Sequence, residues 1–122
     1  MATIKSFTSL EQSKKLAEIL PLESADMFYN KEPEDESYPK DIVDTKYPIV
    51  LREGHIRFLE EYGIPCWSLA ALLSILPNYE INNFGDGIQL GVNNEALVTE
   101  GDETLLDLVV NMIIHLHELK ML

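Results

Sequence analysis

Four residues in this chain have side chains suited to nucleophilic, acid–base or metal chemistry beyond plain carboxylates: Cys66, His55, His115 and His117. Cys66 follows Pro65 and is expected in the first turn of a helix, where unpaired backbone N–H groups favour a thiolate. His55, eleven residues upstream, would be the base of such a pair. No third orienting group or oxyanion site accompanies them. A cysteine beside Trp67 in an uncharged run also reads as a small buried apolar residue, and that is the simpler expectation. His115, His117 and Glu118 suggest metal binding. On a helix, however, positions i and i+2 project about 160° apart and cannot share an ion. His115 with Glu118 could, at i,i+3, but two ligands fall short of the three or four a site needs. Asn82, Asn83, Asp86 and Gly87 offer oxygen ligands without the spacing of a calcium loop, so a turn is expected there. No Gly-rich phosphate loop, Gly-x-Ser-x-Gly or His-Glu-x-x-His is present. The sequence therefore assigns no catalytic, cofactor-binding or metal-ligating residue.

The elements that would position these groups follow from periodicity and punctuation. Thr8 and Ser9, with Glu11 and Gln12 three residues later, have the pattern of a capping box. A helix is expected from Ser9 to Leu20, with Leu16, Ala17 and Leu20 on one face, Glu11–Lys15 and Lys14–Glu18 as i,i+4 pairs, and Pro21 as its end. Residues 22–48 read as a long acidic excursion, pinned by Met27, Phe28, Tyr29, Tyr38 and Tyr47, with a mobile tip at Lys31–Ser37. Ile49–Leu51 fits the start of a strand, or the approach to a short helix from Glu53 to Tyr62 that ends at Gly63. The uncharged run Cys66–Leu76, bounded by Pro65 and Pro77, predicts a helix in the middle of the core. Tyr79–Phe84, Gly87–Val92 and Ala96–Thr99, separated by Gly85-Asp86 and Asn93-Asn94, predict a three-stranded antiparallel meander.

The last element is expected to be a helix from Asp102 or Glu103 to Lys120, with acids at its positive end and His117 and Lys120 near its negative end. Asp107, Asn111, His115 and Glu118 fall on one stripe about 80° wide. Apolar side chains occupy most of the rest, where a surface helix shows an arc nearer 100°. The helix must therefore be covered from several sides, by the sheet and the Trp67 helix or by a second copy of the chain.

Composition limits the function classes. The 122 residues suit one α+β domain, with the meander packed on a buried central helix and a long C-terminal helix. A lone cysteine excludes an internal disulfide. Met1–Leu10 has one lysine and no continuous apolar stretch, unlike a secretory signal, and no apolar run is long enough to span a bilayer. A cytoplasmic protein is expected. The net charge of −12 is unevenly spread: residues 1–57 hold 11 acids and 8 bases, whereas residues 58–119 hold 10 acids and no lysine or arginine. Such a surface repels nucleic-acid backbones and anionic membranes. It is consistent with solubility, a basic protein partner, or mimicry of DNA.

Three segments together resemble a group of short proteins encoded in prophages and other mobile elements of gut bacteria. They are the opening helix running into Glu23–Met27, the block Ile64–Leu73 with Leu76-Pro77 behind it, and the closing Asp107-x-x-x-Asn111-Met112-Ile113 helix ending in Leu116-His117-Glu118. Pro65-Cys66-Trp67-Ser68-Leu69 is the most specific part. The resemblance implies a compact small domain in a mobile-element setting, and it brings no activity and no catalytic residue. The leading expectation is a non-enzymatic interaction or accessory protein that forms a homo-oligomer through the C-terminal helix or takes a basic partner. The alternatives are a DNA-mimic inhibitor of a DNA-binding protein, or a small enzyme or ligand-binding domain using Cys66 and His55.

Overall fold

The computed structural model of the chain describes residues 6–30, 48–50 and 63–122. Within these residues the order is α1 (Leu10–Ala17), a 3-10 turn (Leu22–Ser24), β1 (Met27–Asn30), β2 (Ile49–Val50), β3 (Gly63–Cys66), α2 (Leu69–Ile75), β4 (Tyr79–Asn83), β5 (Ile88–Val92), β6 (Glu95–Val98) and α3 (Leu105–Glu118). The strands form two antiparallel sheets, ordered β2-β1-β3 and β4-β5-β6. The architecture is the expected α+β fold, opened and closed by a helix.

Both terminal helices begin with capping boxes, and the two boxes are joined. Ser9 accepts from the Gln12 N–H while the Gln12 side chain accepts from the Ser9 N–H. Thr104 and Asp107 make the same exchange at the start of α3. Gln12 Nε2 then donates to Asp107 Oδ1 over 2.9 Å, so each box orients the other. Helix α1 is shorter than expected. After Ala17 the chain tightens, with the Ile19 and Leu20 N–H groups both donating to the Leu16 carbonyl before Pro21. Leu16 and Leu20 are buried as expected, but Ala17 faces solvent.

The first sheet is where the sequence misleads most. Met27–Asn30 was expected in an irregular excursion but is a strand, paired with Gly63–Cys66 in the register Met27–Cys66 to Asn30–Gly63. Cys66 is therefore the last residue of β3 and not the first turn of a helix, and α2 starts only at Leu69. The cause is local. Ser68 has extended backbone (φ −72°, ψ 163°) and caps α2 by accepting from the Ala71 N–H, and Asp26 binds Ser68 in turn. Pro65 is tolerated because β3 lies at the sheet's edge. Phe28 and Tyr29 are buried, as the pinning by aromatics requires. Ile49–Val50 is a strand beside β1. The expected tip at Lys31–Ser37, Tyr38, Tyr47 and the Glu53–Tyr62 helix lie outside the described residues.

The meander has the predicted order. Gly85 and Asn93 take positive φ in its two turns, +85° and +56°. It packs on α3, which starts at Leu105, so Asp102 and Glu103 precede the helix. Leu106, Leu108, Val109, Val110, Met112, Ile113 and Leu116 are all buried, an arc of about 200° at 100° per residue. The chain itself supplies the cover, since α1, α2, β5 and β6 all pack on α3. Helix α2, expected at the centre, buries one face: Leu72 is enclosed while Ala70 and Ser74 face solvent. The middle of the core is α3 with Trp67. Each large side chain enclosed there contributes about 1.5–3 kcal/mol.

Candidate functional site

Cys66, the residue with most chemical promise, sits in a closed hydrogen-bond circuit. The segment Ser6–Thr8 runs antiparallel beside Trp67–Leu69, with the Thr8 N–H donating to the Trp67 carbonyl and the Leu69 N–H to the Ser6 carbonyl, both over 2.9 Å. This brings Thr8 against β3. The Trp67 N–H donates to Thr8 Oγ1 over 3.1 Å, and Ser13 Oγ lies 2.7 Å from the same oxygen. Thr8 Oγ1 donates to Cys66 Sγ at 3.4 Å, and the thiol donates back to the Thr8 carbonyl at 3.5 Å. Tyr29 Oη donates to that carbonyl as well, over 2.7 Å. With the Ser13 hydroxyl donating to Thr8 Oγ1, every hydrogen in the circuit has an acceptor, and no lone pair of Thr8 is used twice.

Burial keeps the thiol protonated. Cys66, Thr8 and Ser13 are fully enclosed. Burial pushes the Cys66 thiol above its ordinary range, outweighing the pull of the nearby Thr8, Ser13 and Tyr29 hydroxyls in the other direction. Burial, then the neighbouring Cys66 sulfur, also pushes the Tyr29 hydroxyl up to about 12. A nucleophilic cysteine needs the opposite environment, electropositive and open. His55, its expected base, lies outside the described residues. A second polar chain runs from the neighbouring indole: Trp67 Nε1 donates to Ser24 Oγ over 2.9 Å, and Ser24 Oγ donates to the Pro21 carbonyl.

The histidines separate as the helical projection requires. His115 Nε2 lies 2.9 Å from Glu95 Oε2, with both side chains about one-third exposed, and the contact clips α3 to the start of β6. His117 and Glu118 face solvent. Among the described residues no three histidine, cysteine or acidic side chains converge in a way that could hold a metal. Asn82 and Asn83 are neighbours on a strand and point to opposite faces, and Asn83 Oδ1 accepts from the Gly85 N–H over 3.0 Å. That loop is a hairpin turn.

The surface with an open binding geometry is β4. All five of its residues are exposed, and its one strand neighbour among the described residues is β5. Tyr79 pairs with Val92 and Ile81 with Leu90, so these two apolar side chains share the face on which Val92 and Leu90 are fully buried. They remain 41% and 39% exposed. The reason is width: a helix about 10 Å across covers two strands spaced about 4.8 Å apart. Helix α3 lies over β5 and β6. Phe84, just past the strand, is 62% exposed.

The backbone of β4 is open in the same places. The Phe84 N–H donates to the Gly87 carbonyl and the Thr99 N–H to the Ile88 carbonyl. Carried along the strand by the antiparallel alternation, these bonds turn the Glu80 and Asn82 backbone groups towards β5 and those of Tyr79, Ile81 and Asn83 outwards. The alternation of Tyr79 and Ile81 with Glu80 and Asn82 is visible in the sequence. That α3 stops one strand short is not.

No helix among the described residues is long and apolar enough to cross a membrane. No protein-family model, curated protein or solved structure matches the chain.

Proposed function

We propose that this protein is a non-enzymatic interaction module, working in the cytoplasm, whose contact element is β4. The observation that carries the reading is a strand, all five residues of it exposed and at the sheet edge among the described residues, in which apolar side chains and outward backbone groups coincide at Tyr79 and Ile81. Exposed, flat strand edges are normally blunted by charge, proline or a covering element because they template pairing. Here Glu80 is the one charge on the strand. Further support comes from Cys66, whose enclosure leaves the enzymatic alternative without its nucleophile. The accessory role in a mobile element belongs to the same proposal and rests only on the resemblance of the three segments, of which the Pro65–Leu69 block is the most specific. Oligomerisation through α3 has less to support it, since the buried arc of that helix is covered within the chain.

A photoreactive phenylalanine analogue at position 81, with a control at exposed Ala70 on α2, tests the reading in cells. Adducts to one polypeptide, identified by mass spectrometry and formed from position 81 but not 70, are expected. Equal adducts from both positions, or none, would remove β4 as the contact element. The cysteine alternative is tested separately with a thiol reagent. Cys66 should react only as fast as the chain unfolds, and rapid labelling of the folded protein would restore that alternative.

A further inference from the structure

We infer that the occupant of the β4 edge is an extended, basic peptide strand with alternating apolar and lysine or arginine side chains. This rests on the reading of β4 as the contact element and adds the chemistry of the partner. The backbone sets the form of the ligand. Outward N–H and C=O groups at Tyr79, Ile81 and Asn83 recur at every second residue, the spacing that an added antiparallel strand satisfies.

The two faces of β4 set the pattern of side chains. Residues of the added strand opposite Tyr79 and Ile81 would lie on the α3 side, extending the apolar layer of Val92 and Leu90. Residues opposite Glu80 and Asn82 would lie on the other face, beside a carboxylate. The surroundings set the charge. From Asn78 to Glu103 the meander and its turns carry Glu80, Asp86, Glu95, Glu100, Asp102 and Glu103, with no lysine, arginine or histidine. All six acids are exposed or half-exposed. Their summed field attracts a cationic strand and opposes an anionic one. A second copy of this chain brings −12 onto −12, which disfavours self-pairing at this edge.

The test uses the full chain and two labelled synthetic peptides, Lys-Val-Lys-Val-Lys-Val-Lys and its counterpart with glutamate for lysine, read by fluorescence anisotropy. The basic peptide should bind, and added salt should weaken it. The acidic peptide should not bind. Ile81→Pro removes an outward N–H and leaves the bonds to β5 in place, so it should weaken binding roughly tenfold, the equivalent of about one main-chain hydrogen bond with its packing. Glu80→Lys leaves the backbone untouched and should weaken binding severalfold. It keeps the test valid if the proline variant melts.

Equal binding of both peptides, or basic-peptide binding that survives both substitutions, would overturn the inference. So would a dimer in sedimentation that Ile81→Pro dissolves, since the occupant would then be a second copy. If neither peptide binds while position 81 still yields crosslinks, the basic occupant is wrong and β4 remains the contact element. If the crosslinks fail too, both fall.

Discussion

The two sheets treat polar and apolar groups in opposite ways. Around β1 and β3, residues that usually face water, Thr8 and Ser13, are enclosed and bonded to each other, to Cys66 and to the Trp67 backbone. On β4, residues that usually face the core, Tyr79 and Ile81, are left about two-fifths exposed. Chemical type alone therefore points to the wrong region. The reactive-looking thiol is a structural group because its surroundings satisfy and neutralise it. The inert-looking strand is open because no described residue completes its outer edge.

This contrast is tested most severely at Trp67. Truncation to alanine removes a fully buried side chain and its bond to Ser24 and should cost about 3–5 kcal/mol in denaturant unfolding. A loss below about 1 kcal/mol would mean that the first region is far looser than its packing indicates. Thr8→Val comes next. It keeps the volume but removes the acceptor of the Trp67 N–H and the donor to Cys66, and should cost about 1–3 kcal/mol. A neutral result would break the claim that the circuit holds β3 to the Ser6–Thr8 segment.

A smaller effect is expected in alkali. Tyr29 and Cys66 both hold their protons more tightly folded than unfolded. Their contribution is thus complete below the ordinary thiol and phenol values and is lost as pH rises, for Tyr29 between 10.0 and about 12. Denaturant midpoints should fall across that window and fall less steeply in Tyr29→Phe. A flat profile would mean that the hydroxyl is open to water. The smallest effect belongs to the other region: Ile81→Ser, at a side chain 39% exposed, should cost about 1 kcal/mol. A large loss there would mean that β4 is part of the core and not a free edge.

What the sequence disclosed was local. The capping box of α1, the turns at Gly85 and Asn93, the meander and the polar stripe of α3 are all encoded within a few residues of where they act, and all could be read. The second box, Thr104 with Asp107, was missed and the helix start placed too early. The pairing of Met27–Asn30 with Gly63–Cys66 could not. It joins segments separated by residues 31–62, and β3 holds a glycine and a proline, residues that depress any strand reading. The start of α2 was misplaced because the uncharged run does not reveal that Ser68 is held extended by Asp26, far upstream. Thr8 looked like half of a cap, and its burial depends on a cysteine and a tryptophan from a distant segment. The availability of β4 depends on how wide α3 is, a property of the packed object and not of any stretch of the chain.

The bond from Gln12 to Asp107 ties together residues 95 positions apart. A ribosome must deliver the chain as far as Asp107 before α1, already able to pack on β3, gains its bond to α3. Until then Leu16 and Trp67 lack the part of their core cluster that α3 supplies. Synthesis of this region is therefore a race between release of α3 and capture of the waiting hydrophobic surface by chaperones or by its own neighbours.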